Sequence, residues 1–157
     1  MTNCDSTMIA VRQSHAAQLG WLLLGDVADL LEWSLDADSA RWLLPVLESL
    51  RNLMDAEARD DEVNGYLDDV VSQFPNASGR VIELHRLREK LHSELHVFVH
   101  QLNHLLELRS GGGGFGDAEG QMLKLQLVSW VDRMSAQHRN ERELSQSIWY
   151  FELGLGY

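Results

Sequence analysis

The chain is poor in cysteine, proline and positive charge, and each shortage closes off a class of protein. Its single cysteine, Cys4, cannot form an internal disulfide and suits a reducing, cytoplasmic setting. Only 13 lysines and arginines stand against 24 aspartates and glutamates, a formal charge of −11. Such a surface repels phosphate backbones and anionic lipid, which argues against nucleic-acid and membrane partners. No apolar run is long or unbroken enough to span a bilayer. The first residues, MTNCDSTMIAVRQSH, lack the basic and then apolar segments of a secretory signal. The serines lie in no nucleophile motif, and Cys4 sits near the end of the chain, so covalent catalysis has no candidate.

What remains is a chain of 157 residues, 45% of them hydrophobic, enough for one domain with a proper core. With only Pro45 and Pro75 to interrupt it, the apolar pattern keeps a helical period over long segments. The spacing predicts four helices, at about 7–35, 38–72, 77–109 and 118–152. Ser39 or Asp38 is the expected cap of the second helix, Asn76 or Ser78 of the third, and Asp117 precedes the fourth. Pro45 would move the second start to 43–45, and Asn64-Gly65 offers an early break. QFPNASG at 73–79 reads as a turn and SGGGGFGD at 110–117 as a flexible loop. Short connections between helices of similar length predict an all-α fold, a single up-down-up-down antiparallel four-helix bundle over 1–157.

Chemistry enters through ionisable residues on apolar stripes. At 100° per residue, His15 shares a direction with Met8, Val11, Leu19, Leu22, Leu30 and Trp33. Glu57 lines up with Val46, Leu50, Leu53 and Met54, with Asp61 one turn further on. His138 projects with Leu127, Val131, Met134 and Trp149, and Glu141 stays within that stripe. Carboxylates on an apolar stripe need a cation or strong hydrogen-bond donors.

The third helix carries HSELHVFVHQLNH, four histidines four residues apart. A four-residue step drifts about 40° around a helix. Against the stripe Leu84, Leu91, Leu95, Phe98, Leu102 and Leu106, His85 and His92 fall at the border and His96 a little further out. His100 and His104 fall nearly opposite and read as a solvated or subunit-facing surface. The run EARDDE reads as a mostly solvated face through Arg59, Asp60 and Glu62.

The inward residues also share a level. His15 and Glu57 lie about 21 and 20 residues either side of the first turn, and Glu89 and His138 about 21 either side of the glycine loop. At 1.5 Å per residue each pair stands about 30 Å from its loop, so all four helices deliver His or carboxylate to one layer.

This order of motifs resembles the hemerythrin-like (HHE) family. The matching stretches are RQSHAAQLGWLL around His15, LRNLMDAEARDDEVNGYL at 50–67, VIELHRLREKLHSEL around His85 and WVDRMSAQHRNEREL around His138. The resemblance implies a four-helix bundle holding a non-haem di-iron centre between its helices. It also implies a ligand set drawn from His15, Glu57, Asp61, His85, Glu89, His92, His138 and Glu141 or Glu143. The sequence departs from the family pattern toward carboxylate. Glu57 stands where the family's second helix has histidine, and Glu89 where the third often has one. At the family's acid positions four and five residues after His138 stand Arg142 and Glu143, while the helical period favours Glu141. An oxygen-rich set with some imidazole suits iron, as two ions, or manganese. The implied role is oxygen or peroxide chemistry, or metal or oxygen sensing, with metal ions and dioxygen as partners and a protein partner or homodimer open. The second reading is a metal-free bundle that kept the fold, lost the site and works as an interaction or scaffold protein. Trp21, Trp42, Tyr150, Phe151 and Tyr157 are then its contact aromatics.

Overall fold

A computed structural model describes residues 3–32, 35–110 and 118–152. They form α1 (Asn3–Leu31), α2 (Ala37–Asn64), α3 (Tyr66–Gln73), α4 (Ser78–Ser110) and α5 (Ala118–Glu152), with a 3-10 turn at Pro75–Ala77. No strand occurs among the described residues. Of the glycine loop expected at 110–117, Ser110 ends α4 and residues 111–117, including Asp117, lie outside the described residues, as does Trp33.

Three boundaries differ from expectation, each for a local reason. α2 is capped by Asp36, not by Asp38 or Ser39. The Asp36 carboxylate accepts from the Ser39 N–H (2.8 Å) and the Ser39 hydroxyl accepts from the Asp36 N–H (2.9 Å), a reciprocal capping box. Arg41 and Trp42, three residues after Asp38 and Ser39, offer no acceptor to complete such a box. The helix therefore starts ahead of Pro45 and carries it inside, on an exposed position. It ends at Gly65, whose φ of 60° is left-handed, so the helix expected at 38–72 is two, α2 and α3. At the start of α4, Asn76 lies in the 3-10 turn and Ser78 donates its hydroxyl to the Pro75 carbonyl (2.8 Å) instead of capping.

The four long helices pack in a ring, α1 on α2 and α5, and α4 on the same two, with the short α3 against α2 and α4. Cross-helix contacts fix direction. Residues 84 and 91 of α4 meet 137 and 130 of α5, and 88 and 92 of α4 meet 57 and 55 of α2, so α4 runs antiparallel to both. The core between them holds Leu43, Leu47 and Leu50 of α2, Leu91, Leu95 and Leu102 of α4, and Leu127 and Trp130 of α5. Trp130 is fully buried. Its indole N–H donates to the Leu91 carbonyl (3.0 Å) and its ring makes a T-shaped pair with Phe98.

α1 turns a different face inward from the one expected. Leu24, Val27 and Leu31 are buried, whereas Leu19 and Leu22 are 49% and 65% exposed. The stripe through Leu19 and Leu22 runs on into Asp26 and Asp29 one and two turns later. The stripe through Leu24, Val27 and Leu31 meets no charge and continues to Leu35, which is also buried.

Candidate metal centre and the charged layer

At one end of this core, three helices deliver charge to a common level. Glu57 comes from α2, Arg88 from α4 and Glu141 from α5, with side chains only 20%, 26% and 27% exposed. One guanidinium nitrogen of Arg88 donates to Glu57 and the other to Glu141, at 2.6 Å for the latter. Gln137, buried on the same face of α5, fixes the rest of Glu141. Its amide donates to the second Glu141 oxygen (2.9 Å) and to the Leu84 carbonyl (2.7 Å). The arrangement is an ion triad with an amide brace, and it answers the requirement that inward carboxylates meet a cation.

The electrostatics follow from crowding. Burial pushes the Glu57 carboxyl above the usual carboxylate range; Arg88 opposes this, while Glu141 and Asp61 add to it. Asp61 is raised for the same first reason, with Arg88 and His85 pulling down and Asp60 and Glu141 pushing up. Burial works against the charge on Arg88 as well, but Glu141, Glu57 and Asp61 outweigh it and hold the guanidinium above its ordinary value. Beside the triad, His138 stacks on Trp21 with ring centroids 5.2 Å apart. Burial lowers its pKa, Glu141 resists and Arg88 and Arg142 add to the depression.

The other expected site residues divide. Glu143 points away: it is 70% exposed, with Arg80 3.8 Å distant, so Glu141 is the acid of α5 that faces inward. His85 turns to Glu89 one turn on (3.1 Å), and Glu89 is 69% exposed. His15 lies on α1, but its side chain is outside the described residues, and the leucines it was grouped with, Leu19 and Leu22, are exposed. His100 and His104 are exposed, as expected of a solvated face.

His92 leaves the layer for a second cluster. Its Nε2 lies 2.5 Å from an Asp55 carboxylate oxygen on α2, and the Nε2 of His96 lies 2.8 Å from the same oxygen. The two rings sit 5.0 Å apart, one helical turn from each other. Burial raises the Asp55 carboxyl, but the hydrogen bonds and charges of His96 and His92 outweigh it and leave the pKa lowered. Asp55 and His92 are half-buried and His96 is exposed, and the three ligand atoms lie within 4.8 Å of one another. Donors bound at about 2.0–2.1 Å in a tetrahedron stand roughly 3.4 Å apart. The two oxygen–nitrogen distances at Asp55 are shorter than that by no more than about 1 Å.

Sequence reasoning missed Arg88, Gln137, Asp55 and the role of His96. Arg88 was visible in principle, because it is the one non-apolar member of the run Leu84, Arg88, Leu91, Leu95, Phe98, Leu102. Asp55 had no such signal. It flanks the apolar stripe of α2, and only the register of α2 against α4 brings it to the histidines.

Comparison with known protein families, curated proteins and solved structures finds no match for this chain. The di-iron centre that the resemblance implies is therefore judged on the residues alone. Two bridged irons need carboxylates free to coordinate. Here both inward glutamates are held by Arg88, one of them also by Gln137, and the expected ligands His92, Glu89 and Glu143 are directed elsewhere. The layer as built does not fit the pair of ions.

Proposed function

We propose that this protein binds one divalent transition-metal ion through Asp55, His92 and His96, on a hemerythrin-like up-down-up-down bundle whose inner layer is filled by its own arginine. The observation that carries the reading is the convergence of three ligand atoms from two antiparallel helices within 4.8 Å. Two imidazoles and one carboxylate suit zinc or iron(II), and manganese less strongly; thiophilic and all-oxygen metals are disfavoured. Three protein ligands leave further positions to water or a small anion. The ion would tie α2 to α4. The hollow between α4 and α5, lined by Val97, Phe98 and Leu125, includes none of the three ligands. The ring of four long helices supports the bundle topology.

Titration with Zn(II), read by calorimetry and by metal content after dialysis, tests this. About one ion per chain is expected, with His92→Ala lowering affinity at least tenfold, the lower end of what even an outer-shell change costs. His100→Ala and His104→Ala leave it unchanged. Wild-type protein that takes up no zinc, iron(II) or manganese would sink the reading. It would leave the metal-free scaffold, which the 72% exposure of Trp42 favours.

A further inference from the structure

Acid is spread along this chain except on one face. Aspartates and glutamates make up 24 of the 157 residues, yet none occurs from Leu95 to Leu106 of α4 or from Gly120 to Val131 of α5. The two stretches lie side by side and run in opposite directions, with Glu94 of α4 meeting Arg133 of α5 (3.0 Å) just beyond one end. Their outer sides are apolar as well as their inner ones: Val97, Leu108, Met122 and Leu125 are all more than half exposed. Val97, Gln101, His104 and Leu108 follow one another at steps of four, three and four, and Met122, Leu125 and Ser129 at three and four. That is the spacing of a seam that packs against another helix. Between the seams runs the hollow that Val97, Gln101, Leu125 and Ser129 line. Other exposed apolar side chains lack this setting: Leu22 has Asp26 and Asp29 on its own stripe, and Trp42 has Asp38 one turn before it.

We propose that this face is the contact between two copies of the chain, packed about a two-fold axis that runs along the hollow. Charge selects the occupant. Two chains of −11 repel each other over most of their surfaces, and the acid-free face is where they approach at least electrostatic cost. A basic partner would find its match elsewhere, on EARDDE of α2 and on Asp68 and Asp69 of α3. The ion pair at the end of the face is self-complementary. A two-fold axis parallel to the helices lays each α4 antiparallel over the other copy's α5, so Glu94 of each copy comes over Arg133 of the other. The area sets the strength. From residue 94 to 108 a helix rises about 21 Å, and two neighbouring helices are about 20 Å wide. The pair then buries roughly 800–1,000 Å², the small end of specific interfaces, and exchanges between one and two copies at micromolar concentration. His104, which belongs to neither the charged layer nor the Asp55 cluster, gains a place in the seam. The contact is on the side of α4 toward α5, not α2, and does not depend on metal at Asp55, His92 and His96.

Sedimentation equilibrium of the full chain, with EDTA present to exclude metal bridging, tests this. At about 100 µM the mean mass should approach twice the 17.8 kDa of one chain, and return to that value on dilution to about 1 µM. Salt screens the repulsion between two acidic bodies, so the dimer should tighten between about 0.02 M and 0.3 M salt. Leu125→Glu, an exposed position whose change leaves the helix signal intact, should hold the mass at one chain. Leu22→Glu, equally exposed on α1, should dimerise as wild type does. The ion pair tests the axis. Glu94→Arg and Arg133→Glu should each weaken self-association about tenfold or more, and mixing the two variants should restore it, because each supplies the charge that the other lacks. A pair that served only within one chain would stay broken in the mixture. The proposal is overturned if wild type keeps one chain's mass up to about 1 mM, if its association weakens with salt, if Leu125→Glu dimerises as wild type does, or if mixing restores nothing.

Discussion

Arg88→Met probes the polar work of the inner layer, because it keeps an unbranched apolar stem and removes the charge together with the two donors to Glu57 and Glu141. Breaking a fully buried ion pair by deleting one partner costs about 3–5 kcal/mol. Here the three side chains are between 20% and 27% exposed, so water screens part of the loss and about 2–4 kcal/mol is expected at pH 7. For a domain of this size that is a Tm drop of roughly 4–16 °C. The companion variant replaces the whole triad, Glu57→Leu/Arg88→Met/Glu141→Leu, and leaves no orphaned charge except Asp61. Exchanging a buried ion network for apolar side chains is often neutral or stabilising, so the triple variant should return to within about 1 kcal/mol of wild type. Urea unfolding followed by circular dichroism measures both. The reasoning fails if Arg88→Met costs less than about 0.5 kcal/mol, the range of an ordinary surface change. It fails equally if the triple variant loses the sum of its parts, because members of one network should not add.

Two further outcomes follow from the same charges. Glu57 is raised, so the native state holds a proton there that the unfolded chain has released, and its contribution to stability grows as pH falls from neutral through the raised value toward about 4.3. Wild type should therefore gain on Glu57→Gln over that range, and a gap in unfolding free energy that stays constant would contradict the assignment. His138 is lowered, so the fold favours its neutral form and loses stability as pH drops below the ordinary value of 6.5. An NMR titration should place its midpoint below 6.5, with Trp21→Ala moving it upward by removing the ring that stacks on it; an unmoved midpoint would assign the depression to the arginines instead.

How much of this was legible in the sequence differs from element to element. The periods of α2, α4 and α5 place Leu50, Leu95 and Leu127 in the core, and the same periods turn Glu57 and Glu141 inward, because on a long uninterrupted helix direction is a matter of counting. Counting along the chain put Glu57, Glu89 and His138 at one height, and the Arg88 and Glu141 that meet Glu57 there lie within a turn of the last two. α1 defeated the same procedure. WLLLG offers two apolar stripes, and the choice between them depends on Asp26 and Asp29 further along rather than on the leucines themselves. The capping box escaped because the true cap lies before the first strongly periodic residue. The Asp55 cluster escaped for a deeper reason: its geometry is a property of two helices in register, and no single-helix pattern contains it.

Both clusters answer one constraint set by composition. A chain with 24 acids and 13 strong bases has cations to spare nowhere, so each carboxylate drawn from the surface must be matched deliberately. In the inner layer the match is a guanidinium, whose charge is permanent and whose two arms fit two carboxylates on different helices. At Asp55 it is a pair of imidazoles, whose Nε2 atoms meet one carboxylate oxygen and are the atoms a metal ion would take. The first arrangement holds its cation by covalent attachment and cannot release it. The second holds no tethered cation between its two helices. That difference is why exchangeable metal binding is proposed for the cluster at Asp55, His92 and His96 and not for the layer around Arg88, whose carboxylates are already matched.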